Sequence, residues 1–523
     1  MDHFISVKES SRIMNTFNKK SLCVALAASG VLGAAGVAQA VNVSADGLGQ
    51  VLIYPYYTVN QDVNGNNFVT LMSVVNTTLS TKAVKVRFRE GRASYEVLDF
   101  NLFLSPYDVW TGIITATGPV VSGAAPWSSG GGHLATTDNS CTIPQSNVPG
   151  SSWPPAGTDF RPANLESTDA SIGRTSEGYI EIFEMATYAD ASVTATKAKH
   201  DSKGVPADCA GLQGLQTTTI LTEQQPPNGG LFGNVSIYSP AGGGMFTQGA
   251  TALANFSNQA NYQNTAATGP TYGDATPPIS NTIVGTNLYS TDWTGAVLGA
   301  GWAAVTSVLM ANTATNDYAL DKASKGQTTW IATFPTKFNY VRSGGGVTPA
   351  ANRAPFTSAY VTLVGGCENF YGVVYNREEA NPTILSSQDF SPQTPSGGPQ
   401  LCWEAQSIGF GSSSPAGTAA SNIFGSKNHN VITTPYVNGW ATLGFNSVAA
   451  PAEHSLAAPA GATNVLNLLT GVATPGASVT YYGLPVIGFA AESNQNDAIS
   501  IAGKTYLSTF GGTFTGHAVK KVQ

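Results

Sequence analysis

Lys82-Ala-Val-Lys-Val-Arg-Phe-Arg89 and Glu96-Val-Leu-Asp-Phe-Asn-Leu-Phe-Leu104 alternate apolar and polar side chains with period two. In the first segment Val84, Val86 and Phe88 fall on one side and Lys85, Arg87 and Arg89 on the other. In the second, Leu98, Phe100, Leu102 and Leu104 fall opposite Asp99 and Asn101. Successive side chains of a strand point to opposite faces, so the pattern predicts two strands, each half-buried with one face in water. Pairing would set Arg87 or Arg89 beside Glu96 or Asp99. Such exposed cross-strand ion pairs are worth about 0.2–1 kcal/mol each.

The same signals extend outward. Residues 51–59, VLIYPYYTV, read as a strand interrupted by Pro55, which suits an edge or a bulge. Residues 62–67 form a turn in which Asn64-Gly65 suits a hairpin loop, and 68–76 is a further strand. Strands at this spacing predict an antiparallel sandwich. Further strands are expected at 177–185, 230–238, 328–334, 358–365, 370–375, 402–409, 439–445 and 482–490, with a helical turn at 464–469. Between them lie Gly-, Ser- and Pro-rich stretches, and no fixed-period repeat appears. The expected fold is all-β, with two or three antiparallel sandwich-like domains and long Gly/Ser/Pro-rich loops. The expected regions are a signal peptide at 1–40, an N-terminal β-sandwich-like region at 41–120, a middle β-rich region at 121–342 and a C-terminal β-rich region at 343–523.

Composition supports this class. Only 11% of the 523 residues are charged, against about 25% in ordinary soluble domains. Apolar residues are not depleted, so the chain is not intrinsically disordered. No block of like charge exists to hold a nucleic acid or an anionic membrane surface. At the N-terminus, Lys19-Lys20 precedes an uncharged run at 22–37 and an A-x-A site, Ala38-Gln39-Ala40. That order is a secretory leader. Met14 would give it a compact length, and Cys23 sits too early for a lipoprotein anchor. Cleavage after Ala40 takes away four basic and two acidic side chains and leaves a net charge of −9. The expected mature terminus is Val41. N-terminal sequencing of exported material checks this, and a product retaining Met1 or Met14 overturns it.

Four cysteines remain, Cys141, Cys209, Cys367 and Cys402, an even number that in an exported chain reads as two disulfides. Sequential pairing, Cys141–Cys209 and Cys367–Cys402, keeps each link within one region. Each would contribute roughly 4 kcal/mol by loop entropy. The close spacing of a zinc site is absent. Residues 293–310 run 18 positions without a charge, but three glycines and the lack of basic flanks favour a buried segment with a short helix near 301–311 over a membrane span.

The strings GQVLIYPYYTV (49–59), KVRFREGRASYEVLDFNLFLSPYDVWTG (85–112), EGYIEIFEM (177–185) and TTWIATFPTKF (328–338) resemble a group of exported, cell-surface-type β-rich proteins of proteobacteria. The resemblance implies export and a β-rich fold. It brings no reaction, ligand or site residue.

No HExxH helix, G-x-S-x-G elbow or P-loop is present, and no cofactor is implied. The mature histidines are His133, His200, His429, His454 and His517. His200-Asp201, ahead of Cys209, is the densest group of potential ligands, although a solvated loop accounts for it. Glu181 and Glu184 fall on opposite strand faces and do not form a glycosidase pair. Asp62, Asn64 and Asn66 resemble the start of a calcium loop, but Ser73 stands where the twelfth-position Glu belongs. Tyr54, Tyr56, Tyr57 and Tyr107 offer faces for sugar stacking or sheet packing. The candidate contact surface is Arg87, Arg89, Arg92, Tyr56 and Tyr57. The expected function is that of a non-enzymatic exported cell-surface or extracellular matrix protein acting by surface contact or self-assembly. Its partners would be itself, other surface components or a glycan. The alternatives are a secreted glycan- or polymer-binding protein and a secreted hydrolase with a scattered site.

Overall fold

The computed structural model describes residues 39–117, 130–146, 156–297, 299–342, 353–378, 383–384, 400–446, 450–495, 499–506 and 508–523. The leader through Ala38 lies outside them. Strands make up 46% of the structure and helices 10%, an all-β class with several antiparallel sheets.

The first sheet has seven strands in the order Asn42–Val43, Thr251–Ala254, Val51–Thr58, Glu177–Tyr188, Thr81–Glu90, Glu96–Leu104 and Thr142–Ile143. The second has six: Met245–Gly249, Leu231–Tyr238, Val69–Asn76, Val109–Ala116, Gly132–Ala135 and Thr158–Asp159. Val84, Val86, Phe88, Phe100 and Ile182 from the first sheet share one core with Met72, Val74, Trp110 and Val235 from the second. Fully burying each such large side chain is worth about 1.5–3 kcal/mol.

The two opening segments pair as expected, with Arg87 opposite Asp99 and Val86 opposite Phe100. The water-facing side predicted for them is largely covered, with only Asp99 and Glu96 among its charged side chains keeping 18% and 27% exposure. Lys85, Arg87 and Asn101 are fully buried, because the coil at 263–270 lies over them. Arg87 donates to the carbonyls of Pro270 at 2.8 Å and Thr268 at 2.9 Å, and Asn101 Nδ2 donates to Gln263 O at 2.8 Å. A coil with few side-chain charges can cover a polar strand face when its backbone carbonyls accept the donors beneath.

Pro55 sits inside the first sheet rather than at an edge. The register against Glu177–Tyr188 slips there, with Ile180 opposite Tyr54 and Gly178 opposite Tyr57. The bulge leaves Pro55 and Tyr56 against Tyr179 alone, which accommodates a residue with no N–H to donate. The Asn64-Gly65 turn is present, with Gly65 at φ 83°. It closes a short antiparallel bridge between Gln61 and Asn67, as expected of a hairpin loop, while the longer strands on either side belong to different sheets.

A second body of sheet follows. Thr383–Ile384, Tyr371–Asn376, Asn438–Gly444, Thr313–Ala319 and His517–Val519 form one five-stranded sheet. His429–Thr434, Ala405–Ser412, Gly326–Thr333, Ile487–Gln495 and Thr509–Phe514 form another, whose pair 405–412 and 429–434 is parallel. Trp330, Ile408, Phe410, Val374, Ala441 and Leu443 make their shared core. Strands from 51–116 and 132–254 share both of the first sheets, and strands from 313–333 and 371–519 share both of these. The boundaries expected at 120 and 342 therefore cut through sheets.

Residues 463–467 are a strand rather than the expected helical turn, paired with Asn287–Asp292 in a four-stranded sheet. Residues 358–365 form no strand, because Leu363 at φ 69° and Gly365 at φ 91° fold the chain back into a Val361–Gly365 bridge. In the apolar stretch, Ala300–Leu309 is a ten-residue helix. Among the described residues no helix is long and apolar enough to cross a membrane. Both sequential disulfides form, Cys141–Cys209 and Cys367–Cys402. Val41 is buried and donates its N–H to Ile279 O at 2.8 Å.

Candidate functional site

The residues singled out for surface contact lie inside the protein. Arg87, Tyr56 and Tyr57 have no exposure and Arg89 has 7%, which removes them from any contact surface. Their strand faces are covered, and their polar atoms are used internally. Arg87 Nε pairs with Glu96 at 2.7 Å and Arg89 Nε with Glu181 at 2.6 Å. Tyr56 donates to Glu177 Oε2 at 2.5 Å, and burial raises the carboxyl pKa of Glu177. Arg92 lies largely buried over the Trp403 ring and pairs with Asp169 at 2.6 Å. Glu184 pairs instead with Lys82 at 2.5 Å.

Four of the histidines, His133, His200, His429 and His454, are likewise committed to local ties, and His517 is exposed. His200 Nδ1 meets both Ser105 Oγ at 2.9 Å and Asp108 Oδ2 at 3.5 Å. A nucleophilic triad needs the hydroxyl and the carboxylate on opposite ring nitrogens, so this grouping is no relay. Asp201 turns away and accepts the N–H groups of Lys203 and Val205. His133 lies between Asp159 at 2.6 Å and Ala156 O at 2.7 Å, and His454 between Phe445 O at 2.9 Å and Glu368 at 3.0 Å. Burial lowers the pKa of His429, bonded to Ser407, to about 4. Asp62 spends its carboxylate on the N–H groups of Asn64 and Asn66 within its own turn. Among the described residues no three His, Cys, Asp or Glu side chains are grouped to hold a metal.

The sequence reading missed a cavity of about 300 Å³ where the two cores meet, a volume at the lower end of those that bind small molecules. Trp330, Ile408, Leu443 and Ala490 wall it from the core between the five-stranded sheets. Leu309, Met310, Ile331 and Phe489 wall it from the first core. Thr515, Gly516 and Ala518 line it where the chain passes from one five-stranded sheet to the other.

Among the described residues Lys520 is the single charged side chain in this lining. Its Nζ donates to Val308 O in the last turn of the helix Ala300–Leu309, the end where unsatisfied carbonyls favour a cation. Among the described residues no carboxylate lies within ion-pair distance of it. Burial alone lowers its pKa to about 8, so it remains mostly charged at neutral pH against an apolar wall. Nothing in HAVKKVQ (517–523) signals this role, because the residues around Lys520 come from strands far away in sequence. Comparison with known protein families, curated proteins and solved structures finds no match for this chain.

Proposed function

We propose that this chain is an exported, non-catalytic surface or matrix-associated protein that works by contact through an exposed sheet margin. The strand Thr509–Phe514 carries the reading. Among the described residues it pairs only with Ile487–Gln495 and ends its sheet, and its sequence, TFGGTF, has no charge. Gly511 and Thr513 face inward, packed on Phe246 and bonded to Thr247 O. Phe510 is 66% exposed and Phe514 44%, on the opposite face, with open space at Gly512 between them. Edge strands usually carry charges or Pro that prevent pairing between molecules. An uncharged margin bearing two exposed phenyl rings instead favours sheet extension, with backbone hydrogen bonds and ring burial supplying the contact.

Light scattering and electron microscopy of the mature protein test this. The wild type should form concentration-dependent assemblies. The double variant Phe510→Asp, Phe514→Asp should disperse them while unfolding normally, because both rings are exposed. A wild type that stays monomeric at all concentrations, or a variant that assembles equally, overturns the reading.

One observation favours the glycan alternative. Tyr375 and Trp440 stack at 3.9 Å and 8° on neighbouring strands, with Trp440 40% exposed. An indole face presented to solvent suits stacking on a sugar ring. Retention on an immobilised polysaccharide that Trp440→Ala abolishes would select this reading.

A further inference from the structure

We propose that the cavity between the two cores binds a single-chain carboxylate amphiphile, a fatty acid, with its carboxylate on Lys520 and its alkyl chain among Trp330, Ile408, Leu443 and Phe489. The site adjoins the end of the sheet margin, where Ala490 pairs with Phe514, but it rests on different observations, and either proposal can fail without the other.

Three features lead to this ligand class. The wall is predominantly hydrocarbon: apart from Lys520, its polar side chains are those of Thr251, Thr315, Asn316 and Thr515. Such a surface gains by covering an alkyl chain, at about 25 cal/mol per Å² of apolar area removed from water. Among the described residues the single formal charge is a cation, and no acidic side chain lines the space to repel an anion. The cation is held at the wall by one neutral acceptor, Val308 O, and no carboxylate among the described residues pairs with it.

Lys520 is half-buried, so an ammonium without a counter-ion beside hydrocarbon is only partly solvated there. A ligand carboxylate restores both charge balance and hydrogen bonding, and such charge-assisted bonds are roughly twice as strong as neutral ones. A neutral alcohol would bury the same alkyl area without this gain. A second alkyl chain would ask for more room than a cavity of about 300 Å³ offers.

Titration of the mature protein with dodecanoate and with 1-dodecanol, below their aggregation limits, tests the assignment. Trp330 lies in the wall and reports occupancy by its fluorescence. Isothermal calorimetry supplies stoichiometry. Dodecanoate should bind one per chain, at least tenfold more tightly than dodecanol. Lys520→Met should erase that preference by weakening dodecanoate and sparing dodecanol. Ala490→Phe, which fills the wall, should remove both. The wild-type comparison stands even if a variant misfolds. The proposal is overturned if dodecanoate does not saturate a single site, if the two ligands bind the wild type equally, or if Lys520→Met leaves dodecanoate affinity unchanged.

Discussion

Replacing Arg174 by methionine should destabilise the N-terminal pair of sheets by about 3–5 kcal/mol, the typical cost of leaving a buried charge without its partner. Arg174 has no exposed surface. Its Nε lies 2.9 Å from Glu90 Oε2 and its Nη2 3.0 Å from Glu90 Oε1, a two-point pairing. Its Nη1 reaches Glu166 and Asp169. Glu90 also accepts the N–H groups of Arg92, Ala93 and Tyr95, which shapes the turn between the strands Thr81–Glu90 and Glu96–Leu104. Without the guanidinium, three carboxylates converge in a space with little water. Arg174→Lys keeps the charge but loses the fork, and should fall between wild type and Arg174→Met. Arg377→Met serves as the control, because its pair with Glu378 lies in the open, with side chains 71% and 62% exposed. That change should stay within about 0.5 kcal/mol. Urea unfolding followed by near-ultraviolet circular dichroism reads all three. An Arg174→Met midpoint indistinguishable from that of Arg377→Met would show the network to be energetically idle.

The second large effect is a loss of stability with rising pH, traced to Glu404. The side chain is 1% exposed, and burial raises its pKa to about 8 against the partial opposition of Lys337 and Arg342. In the unfolded chain the same group releases its proton near its ordinary value of 4.5. Between these values the native state holds a proton that the unfolded state has lost. The contribution of Glu404 is therefore complete below about pH 4.5 and is lost as pH rises to about 8, with a slope approaching about 1.4 kcal/mol per pH unit. Glu492, raised to about 7 by burial and by the charge of Asp317, acts with the same sign over a shorter range. Glu404→Gln keeps the shape and removes the titration. Relative to wild type it should gain stability of the order of several kcal/mol between pH 5 and pH 8. Parallel denaturation curves for the two proteins across that range would refute the assignment.

The opening strands show how far local pattern reaches. Alternation in 82–89 and 96–104 identified both elements, their pairing and the residues that enter the core, because a strand's side-chain period is a property of the backbone. It also identified the charged cluster, and the cross-strand pair between Arg87 and Glu96 is present. The environment of that cluster was not legible. Whether a strand's polar face meets water depends on what lies over it, and the coil that covers this one starts more than 150 positions later in the chain. The energetic reading changes with it, from exposed pairs of little worth to buried pairs whose disruption is costly.

The same division holds elsewhere. The cysteine pairing was legible because sequential links were the simplest closure of four thiols. The sheet structure within 240–290 was not, because its short strands carry few apolar runs and exist by pairing with partners such as Thr463–Asn467. By itself, the sequence of this protein determined the all-β class, most of the longer strands, the core side chains of the first sheets and the two disulfides. These follow from backbone periodicity, composition and cysteine count, which act over a few residues or over the chain as a whole. Only the tertiary structure decided which polar faces are covered, that the Arg and Tyr residues read as a contact surface are interior, and that Lys520 stands alone beside an apolar cavity. Solvation and electrostatics depend on distances between atoms remote in sequence, and folding alone sets those distances.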